Sequence, residues 1–377
     1  MRFLFWIVAK LFRLALWLIV IAVAIPVLGL GYGFAVTGST KVVEPSPKSE
    51  SGADAVRAAQ SADSGKYLRP EDNTFLTYPE WSIVYAARDY ADFLRENRES
   101  GFPYFTYAVR YWEDYARALR ATRDYPFNTE YNVMLAVIGT SQTVEYLLQG
   151  AWENTVGRLT EFIAWDRVGE DDVRAALAHD YAQMLDQKPW YEFPYSAGRH
   201  LTWRIPPAEG AAAVRSWERK IVFGASDSVK QVYARAIKAS IAAGPGQDET
   251  DIAVWAKGPV AQAIALEPAA TLLGEFGDDG AVFVAKRYQA FTELAERLAN
   301  RGVGFVEIGG NRQILATVLG PRAIDHPLAS ITVHFSQEIP ARPGVWRTAL
   351  LVPVSNLHEL FAPLEDNGIE LEHLYDY

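Results

Sequence analysis

The chain has 377 residues, half of them hydrophobic, with a formal net charge of −10 and no cysteine. An acidic chain lacks the basic face of a general nucleic-acid binder, so no nucleic-acid partner is expected. Without cysteine there are no disulfides, Cys-ligated zinc, iron–sulfur clusters or thiol nucleophiles, and the length leaves room for two domains plus appendages.

Residues 1–37 read as a transmembrane anchor. Leu14 to Val36 is uncharged over 23 residues, long enough to cross a bilayer. Arg2, Lys10 and Arg13 precede that run and only Lys41 closely follows it. The positive-inside rule then puts the N-terminus in the cytoplasm and the bulk of the chain outside. A cleaved signal peptide is the rival reading, but its apolar region is usually shorter and Gly33-Phe34-Ala35 matches a cleavage site only loosely. The lipid bilayer is thus the first expected partner, through residues 14–36. Residues 38–73, rich in Pro, Ser, Gly, Asp and Lys, read as a flexible linker with a reach of roughly 30–35 Å. A short helix at Ala53 to Ala62 fits within it.

Residues 74–243 read as an aromatic-rich helical domain. Thr77-Tyr78-Pro79-Glu80 has the form of a capping box opening a helix through Glu96. A second helix starts at Pro103 and runs to about Arg123, with Tyr107, Tyr111, Trp112, Tyr115 and Leu119 on one face. The central helical stretch is Asn128 to Glu161. Asn128 or Thr129 caps it, and Tyr131, Met134, Leu135, Ile138, Val144, Leu147 and Leu148 give it an apolar face. Its uncharged run from Tyr131 to Val144, 14 residues, falls short of the roughly 20 needed for a span. It reads as a buried core helix, with a re-entrant or interfacial segment as the alternative. Glu145, Gln149 and Glu153 share one side at i, i+4 and i+8. With Gln142 they form either a solvated polar stripe or a polar pocket, and burial there would raise a carboxylate pKa. A helix at Asp171 to Asp186 follows, its acidic start suiting the helix dipole. Next come an aromatic loop, Lys188 to Tyr195, and helices at Val214 to Phe223 and Ser228 to Ala242. Ala243 to Gln247 is a Gly/Pro boundary.

Residues 248–377 change to a period of two and read as an α+β domain. Strands are expected at 281–286, 304–308, 313–319, 331–335, 347–352 and 370–374, with helices at 288–300 and 356–364. Gly309-Gly310-Asn311 is a hairpin turn. The order β-α-β-β-β-β-α-β is similar to a ferredoxin-like sandwich with an extra hairpin. No internal repeat of fixed period is visible.

No Walker A, HExxH or GxSxG motif is present. The six histidines are never within seven residues of one another, so no compact metal motif exists and neither a metal nor a cofactor is expected. Glu80, Glu113, Asp114, Glu145, Glu153 and Glu192 are acids set among aromatics, a pattern glycosidases share, but no spacing fixes a pair. Trp112, Tyr111, Trp190 and Tyr191 are candidate ligand aromatics, with core packing as the competing role.

The segments Phe75 to Trp81, Gly101 to Phe105, Val137 to Ser141 and Pro189 to Phe193 resemble those of a group of bacterial membrane-anchored proteins with no assigned activity. The likeness covers about residues 74–223. It implies a bacterial inner-membrane setting and carries no catalytic residues. The expected function is a membrane-anchored, extracytoplasmic binding or assembly subunit, non-catalytic, whose protein partner is another membrane protein or a second copy. The alternatives are a carboxylate-dependent hydrolase and a carrier of an apolar or aromatic ligand.

Overall fold

The computed structural model describes residues 2–38, 42–45, 67–243, 250–324, 330–365 and 368–376. The predicted helix at 53–62 lies outside them. The helical part comprises α1 (Arg2–Val36), α2 (Asn73–Glu96), α3 (Tyr104–Ala121), α4 (Thr129–Trp152), a π turn (Glu153–Gly157), α5 (Arg158–Ala164), α6 (Gly169–Leu185), α7 (Tyr195–Arg204) and α8 (Ala212–Ala243). The sheet region comprises β1 (Asp251–Lys257), α9 (Val260–Ile264), β2 (Ala270–Glu275), β3 (Ala281–Lys286), α10 (Gln289–Asn300), β4 (Gly304–Ile308), β5 (Gln313–Gly320), β6 (Thr332–Glu338), β7 (Trp346–Pro353), α11 (His358–Glu365) and β8 (Glu370–Tyr375). Among the described residues no helix is long and apolar enough to cross a membrane. The side chains of 14–19, inside α1, are not among them.

Several elements depart from the sequence reading. Helix α2 begins at Asn73 and runs through Pro79, so Thr77 and Glu80 form no capping box. The Thr77 hydroxyl donates to Asn73 O at 2.8 Å, and Glu80 accepts from the Tyr131 hydroxyl. Asn128 does cap α4, taking the Tyr131 N–H at 3.1 Å. The central stretch is broken by the π turn, and the two helices expected at 214–223 and 228–242 are one continuous α8. The described parts of the expected linker are tied down. Val43 N donates to Ala121 O at 3.1 Å, and Arg69 N to Gly309 O at 2.9 Å.

In place of one sheet there are two four-stranded antiparallel sheets, ordered β2-β3-β1-β4 and β6-β7-β5-β8. The same order occurs twice, because β5 to β8 occupy the positions of β1 to β4. The segment 321–331 stands where the first unit has α9. Alternation along the strands gives the second sheet two apolar faces. Ile314, Ala316, Val318, Leu350, Val352 and Leu374 join α10 and α11 in the core shared with the first sheet. Leu315, Ala349 and Tyr375 turn the other way, onto Phe75, Tyr78, Trp81 and Tyr85 of α2. The Thr74 hydroxyl donates to Tyr375 O at 2.7 Å and accepts from Leu315 N at 2.9 Å. Arg347 crosses this seam, paired with both oxygens of Glu372 at 2.6 Å and lying over the Tyr85 ring at 4.0 Å.

Helix α1 packs along α3. At Gly29 and Gly33 there is no side chain, and a Cβ at either would collide with Trp112, its ring at Gly29 and its backbone carbonyl at Gly33. The Arg120 guanidinium donates to Phe34 O and to the Thr37 hydroxyl. Gly139 of α4 admits the Tyr111 ring in the same way. Glycine is needed at these contacts because the neighbour is a rigid ring or backbone.

Candidate functional site

Helix α8 has its polarity reversed. Its buried row is Arg215, Ser216, Arg219, Lys220 and Asp227, relieved by Phe223. Its outward row is Val214, Trp217, Ile221, Ala225, Val229 and Val232, all exposed. The spacing of three and four residues keeps each row on one face. A helix on a water-facing protein carries the opposite arrangement.

The buried row meets carboxylates from four other segments. Arg219 binds Glu99 at 2.9 Å, Glu153 at 2.8 Å and Glu218 through its Nε at 2.6 Å, and its guanidinium lies over the Phe223 ring. Arg215 binds Glu161 at 3.0 Å and Asp171 at 2.9 Å, and donates to Gly157 O at 3.2 Å. Lys220 binds Glu170 at 2.9 Å and the carbonyls of Thr202 and Ile205. Arg174, from α6, lies 3.8 Å from Asp227. The cations thus hold the short turn Glu99–Gly101 after α2, the π turn, α5, α6 and α7 around α8. Buried charges of this kind are tolerable only when each is paired.

Carboxylates outnumber cations here, and the surplus falls on one pair. Burial alone would raise Glu99, but Arg219, then Arg174 and the hydroxyls of Tyr90 and Tyr104, hold it below its ordinary range. Burial and the adjacent Glu99 charge push Glu153 up to about 7 against the pull of Arg219. Its Oε2 has no hydrogen-bond partner among the described residues. The π turn places it there: Gly157 leaves the space the carboxyl fills, since a Cβ at that position would strike Oε2. π turns of this sort recur at functional sites. A carboxyl that holds its proton near neutral pH beside an ionised one is suited to storing or passing a proton. Next to the cluster a cleft of about 330 Å³ opens between Arg98, Glu161, Phe162, Trp165 and Asp166. Trp165, which ends α5, has φ +67°, a strained left-handed conformation for a bulky residue. Its carbonyl accepts from the Arg98 guanidinium.

The residues singled out in the sequence are dispersed. Glu145 pairs with Lys230 at 2.6 Å and accepts from Gln149 at 3.0 Å. Glu153 pairs with Arg219, eleven residues earlier on α8, about 16 Å along the helix, so the two acids line no common pocket. Gln142 is buried and accepts from Ser82 at 3.3 Å. Tyr111 and Trp112 are core residues. Tyr111 donates to Leu135 O at 2.5 Å, Trp112 donates to Thr143 at 2.8 Å, and α1 occupies the space beside Trp112. Trp190 stacks on Tyr233 with centroids 5.1 Å apart, and Tyr191 packs edge-on against it. Glu192 pairs with Lys238 at 2.9 Å on the surface. Glu113 pairs with Arg110 at 3.3 Å, and Asp114 with Arg117 at 2.7 Å. Among the described residues no group of three or more His, Asp or Glu is placed to hold a metal.

Arg215, Arg219, Lys220 and Glu99 were not apparent as site residues from the sequence. The available signal was the pair of rows at 214–232, one wholly apolar and one charged, which only an unbroken helix aligns. Comparison of the chain with known protein families, characterised proteins and solved structures finds no match.

Proposed function

We propose that the chain is a non-catalytic assembly subunit anchored in a bacterial inner membrane through residues 14–36, with its N-terminus cytoplasmic and its bulk periplasmic. The observation that carries this reading is the seat of α1 on α3 and α4, where Gly29 and Gly33 close onto Trp112. The anchor is part of the helical domain's packing and not a free tether. The charges of the interior are used on one another, as in a scaffold. We also read the sheet region as two ferredoxin-like units in tandem, supported by the repeated strand order. Such units commonly offer edge strands to partners, and β2, exposed at Thr271, Leu273 and Glu275, is one.

Native mass spectrometry of the full-length protein, extracted from its host in mild detergent, tests the proposal. Stoichiometric protein neighbours or a defined homo-oligomer are the expected result, and a bare monomer sinks it. Protease treatment of spheroplasts carrying a C-terminal tag tests the orientation, and a protected tag overturns it. A carboxylate-dependent hydrolase is the second reading, favoured by the Oε2 of Glu153, which has no hydrogen-bond partner among the described residues. That reading requires Glu153→Gln to abolish a hydrolytic activity while the fold stays intact.

A further inference from the structure

The outward row of α8 is not isolated. Helix α4 runs antiparallel beside it, tied by Trp152 to Glu218 at 2.7 Å, Glu145 to Lys230 at 2.6 Å, and Ser141 to Tyr233 at 3.2 Å. On the same side α4 exposes Val133, Val137, Leu148 and Trp152, and α5 exposes Leu159 and Phe162. On its other flank α4 adjoins α1, whose Val23, Val27 and Leu28 are exposed in turn. Apolar rows of α1, α4 and α8 therefore lie side by side in one layer, backed by buried charge and crossed between α4 and α8 by the Glu145–Lys230 pair. Exposed apolar patches on water-facing monomers rarely exceed a few hundred Å².

The ends of the layer differ from its middle. The outward row of α8 stops at Val232, and the exposed residues beyond it include Arg235 and Lys238. Trp203 and Trp217, about half exposed, pack edge-on with centroids 6.3 Å apart near the start of α8. Tryptophan and basic side chains are the residues that settle at the headgroup level. Arg158, exposed beside Leu159, has a stem long enough to reach it. In lipid the favourable arrangement is the one seen here, with polar groups satisfied inward and apolar side chains outward.

We infer that the face formed by α4, α5 and α8 lies against lipid acyl chains, so that the helical domain is embedded in the outer leaflet beside the anchor and does not stand clear of it. This rests on the membrane-anchored reading above. The face continues the surface of α1 next to residues 25–36, which fixes the leaflet.

The absence of cysteine makes each introduced one unique. Ile221→Cys, Val229→Cys, Val27→Cys and Thr271→Cys, all at exposed positions, are spin-labelled. The full chain is then reconstituted in phosphatidylethanolamine/phosphatidylglycerol vesicles. Collision rates with oxygen, which partitions into lipid, and with a water-soluble nickel chelate are measured. The oxygen-to-nickel ratio at 221 and 229 is expected to match that at 27 and to exceed that at 271 several-fold. If 221 and 229 match 271 while 27 reads as lipid, the helical domain faces water, and the inference fails while the anchor stands. If 221 and 229 are shielded from both reagents, protein covers the face and the inference fails. If 27 also reads as water, the anchor falls with it.

Discussion

Replacing Glu153 with glutamine keeps the shape of the side chain and removes its titration. In the folded protein this carboxyl is raised from 4.5 to about 7, by burial first and by Glu99 second. A carboxyl whose folded pKa lies above its unfolded value binds more protons in the folded state. The stability it contributes is therefore intact below about 4.5 and is lost as pH rises toward about 7. At about 1.4 kcal/mol per pH unit, the wild type loses roughly 2–3 kcal/mol between about pH 5 and about pH 8 that the variant does not lose. For a helical domain of this size that is a relative gain in midpoint of roughly 4–12 °C at the higher pH. Thermal unfolding in mild detergent, followed by tryptophan fluorescence at both pH values, reads the difference. If Glu153→Gln lowers the midpoint more at the higher pH than at the lower, the carboxylate is ionised and bound productively to Arg219. The account of the site is then refuted.

Arg347→Lys should cost about 2–4 kcal/mol, because an ammonium cannot reproduce the two parallel bonds to Glu372 or the stacking on Tyr85; denaturant titration measures it, and a loss within about 0.5 kcal/mol sinks the idea that this pair locks the domain seam. His373 stacks on Trp81 at 3.6 Å and burial holds it well below its ordinary pKa. His334 is lowered to about 4 by burial and Arg117. Unfolding lets both take up a proton, so stability should fall as pH drops below about 6.5. Stability curves of His373→Phe should show a shallower slope there, and an unchanged slope removes His373 from the account. Gly139→Val drives side-chain atoms into the Tyr111 ring. It should cost about 1–3 kcal/mol or more and loosen α4 from α3, seen as faster amide exchange in α4; unaltered exchange would contradict the packing described.

Local chemistry was readable where it depends on near neighbours. Asn128 caps α4 because a short acceptor there reaches the free N–H groups. Gly309 and Gly310 do turn the chain, with φ +59° and +83°, but from β4 of the first sheet into β5 of the second, so the two strands do not pair as the expected hairpin. The strands from β3 onward follow from alternation. What escaped depends on which side of a helix faces inward. Periodicity reports that Val214, Trp217 and Ile221 share a face and that Arg215 and Arg219 share another, but it is silent on which one the rest of the chain covers. The natural prior puts the charged face in water, and here it is buried. Glu153 keeps the helical register, its N–H bonding to Gln149 O, but the π turn that follows shifts the phase of the residues after it, so a helical projection carried on through Glu161 no longer held. The doubled sheet was hidden because Asp251–Lys257 and Ala270–Glu275 are short runs without strong turn signals, so the first two strands of the first unit went unread.

The bond from the Thr74 hydroxyl to Tyr375 O joins residues 301 positions apart. At a synthesis rate of about 5–20 residues per second, roughly 15–60 s separate the appearance of α2 from that of the strand it rests on. During that interval Phe75, Tyr78, Trp81 and Tyr85 have no sheet to cover them, and Thr74 has no strand to bridge. Protein production in the cell is therefore expected to depend on a chaperone that shields α2 while the ribosome finishes its work, and truncation of the final strand would leave that aromatic face permanently bare.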